Sequence, residues 1–509
     1  MAPFYLKWTF QEEQNFNLRD ISWEKCWLTG VVNLLSRYWY ELLCFQQPRW
    51  EKAAWYISTD GEKFVSIKWF WSVNNVFHDF IKLPDNDTIQ QQFKELLPWD
   101  ISIGHNRYAT SWSADSPENI QPLSGNFKGE MFFIAHNGTL ADADTLRIPL
   151  TEAWVVFASN SDTEIFAQYI QRSEADTLED AIIDAANRID KAFSLLVMTK
   201  NKLYTLKDRY GVRPLHVWEL TKKDGQKWYL LASEDYVFDQ YTQCDKTKNY
   251  EVWPGQMIIF ERGKEGYVMK QYAQPDEHFC SLEKIYFQNP RSKHHGFYNE
   301  DYRQLLAKQI LLENPWLVWD AITAVLDSGK QAAFGLSKHS GIPYKEYFMR
   351  LHNSPTTTWR SFTASQQHER EVIAYNKLNL REDKVQGKHI ILVDDSIVRW
   401  TTLKINIDRL RNAWAKKITI VISSPPIENI CNLWMDYADP NQLIAYVKQW
   451  DIEEIRKEIW ADTLIYLSLE GLLHVEQQII DEALKTWKTC GYQSGTCTWC
   501  FGGTYPWKK

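Results

Sequence analysis

Twelve consecutive residues, Ile391 to Thr402 (ILVDDSIVRWTT), put two carboxylates, three hydroxyls and a helix start close together in the chain. His389 to Val393 are mostly branched and apolar without alternation, which predicts a parallel strand buried on both faces. Leu403, Ile407 and Leu410 then recur on one face, so a helix is expected to open at Thr401 and Thr402, and Lys417 to Ile422 reads as the next strand. A βαβ unit of this kind holds its ligand at strand carboxyl ends. Its loop and helix amino terminus offer N–H groups and a positive dipole end to a phosphate, with Ser396, Thr401 and Thr402 adding hydroxyl donors. Asp394 and Asp395 are badly placed for phosphate but well placed for ribose hydroxyls, or for Mg²⁺ held through water. An isolated Asp-Asp pair is more simply an acidic helix cap; the full string argues for a phosphorylated sugar.

That string resembles the phosphoribosyl pyrophosphate (PRPP) loop of type I phosphoribosyltransferases. The closest likeness is to the amidophosphoribosyltransferase family, glutamine-dependent enzymes that open purine synthesis. Val325-Leu326-Asp327-Ser328-Gly329, followed by Ala332, Ala333 and Gly335, reads as strand, tight turn and helix. By resemblance the turn, through Asp327, Ser328 and Gly329, takes the pyrophosphate of PRPP, and Ser328, Asp394 and Asp395 hold Mg²⁺. Arg360, in Trp359-Arg360-Ser361-Phe362, is carried over from the loop that closes over PRPP in the family. Ser423-Ser424-Pro425-Pro426-Ile427 and the Ala461 to Leu472 string match amidophosphoribosyltransferases rather than phosphoribosyltransferases at large.

Four strings in the first half carry chemistry: Cys26-Trp27-Leu28-Thr29-Gly30, Gly104 to Thr110, Ala135-His136-Asn137-Gly138-Thr139-Leu140, and Asn160-Ser161-Asp162-Thr163-Glu164. Each alone has a plain structural reading, such as a core cysteine or an Asn-Gly turn. Together and in this order they resemble the class II glutamine amidotransferase domain. In that family a cleaved chain starts with cysteine, whose α-amino group, with a pKa of ~8, serves as general base. The resemblance makes Cys26 the nucleophile toward the glutamine side chain, with the Asn137 amide and Gly138 N–H stabilising the oxyanion. Arg107 is expected to grip the α-carboxylate of glutamine and Asp162 its α-ammonium, a pairing that selects free glutamine. Leu203 to Leu215, Ala232-Ser233-Glu234 and Pro254-Gly255 fit strands and turns of a sandwich and receive no catalytic role.

A second constellation is made of thiols. Cys497-Thr498-Trp499-Cys500 is a Cys-x-x-Cys pair, with Cys280 and Cys431 far upstream. Four thiolates satisfy Zn²⁺ or a [4Fe–4S] cluster, and spacing does not choose between these and unliganded thiols. Family members with a leader peptide commonly hold a [4Fe–4S] cluster at these four positions. The resemblance therefore implies a structural, oxygen-sensitive cluster on Cys280, Cys431, Cys497 and Cys500.

A chain of 509 residues exceeds what one core organises. The expected architecture is a leader over 1–25, an αββα glutamine amidotransferase domain over 26–268, and a type I phosphoribosyltransferase domain with a parallel sheet and a cysteine-bearing tail over 269–509. A net charge of −8 and a pI near 5.9 give no basic footprint for nucleic acid, and no apolar run is long enough to span a bilayer. Mixed charges and aromatics over residues 1 to 25 do not make a secretory signal, so the eight cysteines belong to a reducing compartment, the cytoplasm. Homo-oligomerisation as a tetramer and purine nucleotide effectors are implied by the family alone.

Tryptophan, at 25 residues, outnumbers glycine, at 21. Glycine usually makes up ~7% of a chain. Trp27, Trp50, Trp400, Trp414 and Trp460, with Trp359 as a further case, stand where the resembled family has glycine, and Trp400 lies inside the PRPP loop. Glycine serves where φ is positive or backbone must approach a ligand. The two residues' triplets can differ by one nucleotide. The rival expectation is accordingly a silent PRPP-binding or scaffold homologue that keeps the fold. Another class II amidotransferase, acting on a sugar phosphate, has no place for the PRPP string or the four cysteines.

Overall fold

The computed structural model describes residues 27–33, 53–70, 100–107, 117–140, 142–221, 225–240, 248–350, 378–398, 400–431, 433, 440–486 and 494–506. These fall into two compact units, one reaching from Trp27 to Pro275 together with Leu433, the other comprising Asp276–Cys431 and the residues from Pro440 onward. The proposed leader, Cys26 and Arg360 lie outside the described residues, as do the side chains of Arg107, Thr401 and Thr402.

The first unit stacks two antiparallel sheets. One runs Asn249–Glu251, His216–Thr221, Lys227–Ala232, Trp27–Val32, Ile101–Arg107, Ala53–Thr59, Phe64–Phe70. The other runs Val268–Gln271, Gln256–Glu261, Lys202–Lys207, Phe193–Met198, Glu130–Gly138, Leu123–Phe127. Leu28, Ile57 and Ile103 of the first sheet interleave with Ala135, Leu196, Leu203 and Ile258 of the second to form the sandwich core. The central strands of the second sheet are apolar on both faces. Phe133 and Ala135 point into the sandwich, whereas Phe132 and Ile134 meet Ile165, Phe166, Ile170, Ile182 and Ala186 of the helices Thr163–Gln171 and Leu178–Ile189. Period-two alternation thus becomes a continuous apolar run wherever a helix layer covers the outer face.

The second unit is built on four parallel strands in the order Ala321–Ala324, His389–Asp394, Lys417–Ile422, Thr463–Tyr466. The helix Thr401–Asn412 starts at the expected residue, and Leu403, Ile407 and Leu410 are buried against the sheet. A short parallel pair, Glu277–Cys280 with Ser494–Cys497, fastens the end of the chain to the start of the unit. Among the described residues no helix is long and apolar enough to cross a membrane.

Candidate active site

In the first unit the polar residues converge where three buried strands end. Trp27–Val32 follows Cys26 directly and is buried throughout, with the Leu28 N–H donating to Ser233 Oγ at 2.9 Å. The same Ser233 Oγ accepts from Asn137 Nδ2 at 3.2 Å. The other end of that amide is also held, because Asn137 Oδ1 accepts from Arg213 Nε at 3.1 Å and from Nη2 at 2.8 Å. A guanidinium can only donate, so this contact fixes the amide with its NH₂ turned toward Ser233 and the strand that leaves Cys26. Arg213 itself is buried. Arg213 and Ser233 belong to strings that had been given only structural parts, and their positioning of Asn137 is a role sequence reasoning missed.

Gly138 closes the same strand. A Cβ there would lie 2.6 Å from Ala192 O and 2.6 Å from His136 Nε2, at a φ of +156, so no other residue fits without displacing backbone. Asp162 precedes the helix Thr163–Gln171, accepts from the Leu140 N–H at 2.8 Å and sits 3.8 Å from His136 Nδ1. Burial works against its ionisation, but His136 and the Leu140 and Thr163 N–H groups outweigh burial and hold the carboxyl below the usual carboxylate range. Glu164 ties down the approach to it, accepting from Ala158 N at 2.8 Å, Ser159 N at 2.7 Å and Ser159 Oγ at 2.6 Å. The backbone of Arg107 ends the strand Ile101–Arg107 opposite Ala53.

In the second unit the two loops singled out from sequence meet at the carboxyl end of the parallel sheet. Ala321–Ala324 runs into the Val325 to Gly329 turn and the helix Lys330–Ser340. Ser328 Oγ lies 3.4 Å from Asp394 Oδ1. Gly329 is packed so closely that a Cβ would come within 2.4 Å of Val393 O. Arg350 clasps Asp327 through Nη2 at 2.5 Å and Nε at 3.2 Å. Asp394 and Asp395 are both buried; Asp394 Oδ1 accepts from the Asp395 N–H at 2.9 Å, and Ser396 Oγ donates to Asp395 Oδ2 at 2.7 Å. Burial first, then the neighbouring Asp395, pushes the Asp394 carboxyl well above its ordinary range. Two carboxylates so placed are stabilised by a divalent cation or by hydroxyl donors, which is what Mg²⁺ and a ribose supply. Trp400 has a right-handed backbone, φ −80 and ψ −11, and rests against the core. Positive φ is therefore not required at that position.

The four cysteines named from sequence come together. Parallel pairing sets Cys280 opposite Cys497, and the turn Trp499–Phe501 carries Cys500. The segment before Cys431 is tied to that turn by Glu428 N–H on Cys500 O at 2.7 Å and Trp499 Nε1 on Ile430 O at 2.9 Å. Burial and then the other thiols push Cys280 and Cys500 well above the ordinary thiol range and Cys497 to about 12. Thiols that disfavour one another's ionisation fit a cationic group bound among them. Close by, Glu277, His294 and His295 bring ligand atoms within 4.8 Å of one another. Burial opposes the Glu277 charge, yet His295 at 3.0 Å, His294 and Ser494 outweigh it and bring the carboxyl to about 2, so Glu277 already has partners within the protein.

A glutamine amidotransferase domain model matches residues 105–240. The chain is 33% identical to an amidophosphoribosyltransferase of Bacillus subtilis over 462 residues, covering 90% of this chain and 89% of that protein. It is 30% identical to an amidophosphoribosyltransferase of Methanothermobacter thermautotrophicus over 493 residues, covering 95% and 94%. Among solved structures it resembles the glutamine PRPP amidotransferase of B. subtilis complexed with ADP and GMP, at a TM-score of 0.78 and 32% identity over 94% of this chain and 97% of that one.

Proposed function

Since the chain belongs to the amidophosphoribosyltransferase family, we propose that its two half-sites work in series, glutamine being opened at Cys26 and PRPP being aminated at the 391–402 loop. The protein is a glutamine-dependent phosphoribosyltransferase that takes the first step of purine biosynthesis, and a silent scaffold is not favoured. Its reaction turns PRPP, glutamine and water into 5-phosphoribosylamine, pyrophosphate and glutamate. What carries the residue-level reading is that one chain holds an Asn137 amide fixed at both ends and, separately, a Ser328 and Asp394 pair joining two ligand loops.

Removal of residues 1–25 leaves Cys26 with a free α-amino group, which takes the thiol proton as sulfur attacks the side-chain amide of glutamine. Charge that develops on the amide oxygen is met by Asn137 Nδ2 and the Gly138 N–H, both in place beforehand. Arg107 binds the α-carboxylate and the ionised Asp162 the α-ammonium. Ammonia leaves, and water releases glutamate from the thioester.

At the second site Asp394 and Asp395 bind the ribose hydroxyls. Ser396, Thr401 and Thr402 bind the 5-phosphate, and Asp327, Ser328 and Gly329 the pyrophosphate, with Arg360 closing over them. Ser328, Asp394 and Asp395 would hold Mg²⁺, which when bound would supply positive charge to the pyrophosphate leaving group. Cys280, Cys431, Cys497 and Cys500 would hold a [4Fe–4S] cluster, which would secure the tail and supply no chemistry to the reaction. The cytoplasm, a homotetramer and purine nucleotide effectors complete the proposal, the last supported by the ADP and GMP bound to the B. subtilis structure.

The test is glutamate release and PRPP-dependent pyrophosphate release from anaerobically prepared protein whose amino terminus has been sequenced. Both activities, with Cys26 as first residue, are expected. PRPP binding without either turnover after confirmed processing would reject the reading in favour of the scaffold.

A further inference from the structure

Nine non-glycine residues among those described have positive φ, and four of them are tryptophan: Trp154 (60), Trp414 (61), Trp450 (61) and Trp460 (61). Asn33, Asp190 and His295, in the same set, belong to the types whose short or polar side chains tolerate this region. An indole does not. Its Cβ is crowded by the following carbonyl, and no local hydrogen bond compensates.

Three of the four end helices in one manner. The Trp154, Trp414 and Trp460 N–H groups donate to Thr151 O, Arg411 O and Lys457 O at 2.9, 2.9 and 3.1 Å. The next residues, Val155, Ala415 and Ala461, donate five residues back to Leu150 O, Leu410 O and Arg456 O at 3.0, 3.0 and 3.1 Å, and all three are buried. This is the helix stop whose left-handed position glycine normally fills. Where the chain does carry glycine it uses it so: Gly341 ends Lys330–Ser340 at φ 76, its N–H on Ser337 O. Trp450 is the second left-handed residue after Gln449, its N–H on Ala445 O at 2.7 Å.

Among the described residues nothing around these indoles repays the conformation. They are 90%, 75%, 49% and 59% exposed in chain order. Lys404 Nζ, 4.9 Å from the Trp460 ring, and Tyr446, 5.9 Å from the Trp450 ring, are surface contacts that do not call for a left-handed backbone. Trp27 is anomalous on a separate ground: it is buried, it follows Cys26 in the chain, and its indole N–H has no acceptor among the described residues. Trp218 and Trp499 fit their places. Trp218 is buried 4.8 Å from the Phe238 ring, and Trp499 donates to Ile430 O while stacking on Tyr505.

We propose that the cell making this chain inserts glycine at Trp27, Trp154, Trp414, Trp450 and Trp460. The triplet there is UGA, which some codes read as tryptophan and which differs from the glycine triplet GGA only in its first base. Its reader in the native cell is a tRNA that carries glycine and has an anticodon complementary to UGA. Trp218 and Trp499 are encoded by UGG and remain tryptophan. The surplus of 25 tryptophans over 21 glycines follows from writing both triplets as one residue.

The inference stands independently of the glutamine and PRPP assignments. Its test is peptide mass spectrometry on protein purified from the native cells, read beside the gene. Glycine masses at the five positions with UGA, and tryptophan masses at Trp218 and Trp499 with UGG, are expected. Tryptophan masses at the five, or UGG there, overturn it. A recombinant chain with tryptophan throughout, compared with its Trp154→Gly/Trp414→Gly/Trp450→Gly/Trp460→Gly variant, supplies a physical check. The variant should unfold at a higher temperature, and an equal or lower midpoint removes the conformational ground.

Discussion

The two half-sites solve the problem of placing polar groups in opposite ways. In the sandwich unit Asn137 is hydrogen-bonded at both ends by protein, and the surroundings of Asp162 favour its ionised form, so these two groups are set by the fold itself. At the carboxyl end of the parallel sheet Asp394 and Asp395 are crowded together, and burial followed by the neighbouring Asp395 opposes ionisation of Asp394. A preorganised oxyanion site lowers a barrier without rearranging at the moment of reaction. A buried acid pair instead costs the free protein stability, and under the proposed function that cost is offset when a cation and a polyhydroxyl substrate bind.

The sharpest way to break this contrast is Asn137→Ala. We expect glutamate release to fall about 10²- to 10³-fold, with PRPP binding intact, measured by steady-state kinetics and by calorimetric titration. A loss under about tenfold would mean that the amide is not an oxyanion donor.

Next in size is Glu277, the satisfied acid of the second unit. Its carboxyl is held near 2, below the unfolded value, so its contribution is present above the unfolded pKa of ~4.3 and disappears as pH falls toward 2. Denaturant unfolding of the wild-type chain and Glu277→Gln should differ by roughly 3 kcal/mol at pH 6 and converge near pH 2. A pH-independent gap would show that the ion pair with His295 is not its source.

Arg213→Lys should lower kcat for glutamine about tenfold, with little change in KM, because one ammonium cannot hold Asn137 Oδ1 as the two guanidinium donors do. Unchanged kcat would reduce Arg213 to a packing residue. Smallest in free energy, and opposite in sign, is Asp394→Asn. The ligand-free protein should gain about 1 kcal/mol in unfolding while PRPP turnover is lost. A destabilised variant would place the acid pair on the same footing as the sandwich site.

The strand, loop and helix around Asp394 were legible because burial writes itself into local patterns. Leu403, Ile407 and Leu410 keep the helical period, and both flanking strands are unbroken apolar runs. Clustering of Cys280 with Cys497 followed from resemblance, and the parallel pairing behind it leaves no local mark. Arg213 and Ser233 stayed hidden because they act on Asn137 across 76 and 96 residues, and neither type implies such a partner. Trp154 and Trp450 were missed as helix stops for a simpler reason: the glycine that normally announces one is not written there.

The short pairing of Glu277–Cys280 with Ser494–Cys497 sets a timetable. Its residues are 217 positions apart, which at ~5–20 residues per second is roughly 10–40 s of synthesis. Both sheets of the first unit are complete by Gln271, so the sandwich can close on the ribosome while Cys280 waits. The thiol set is whole only when almost the entire chain has emerged. Completion of the thiol set is therefore a late event, separate in time from folding of the first unit.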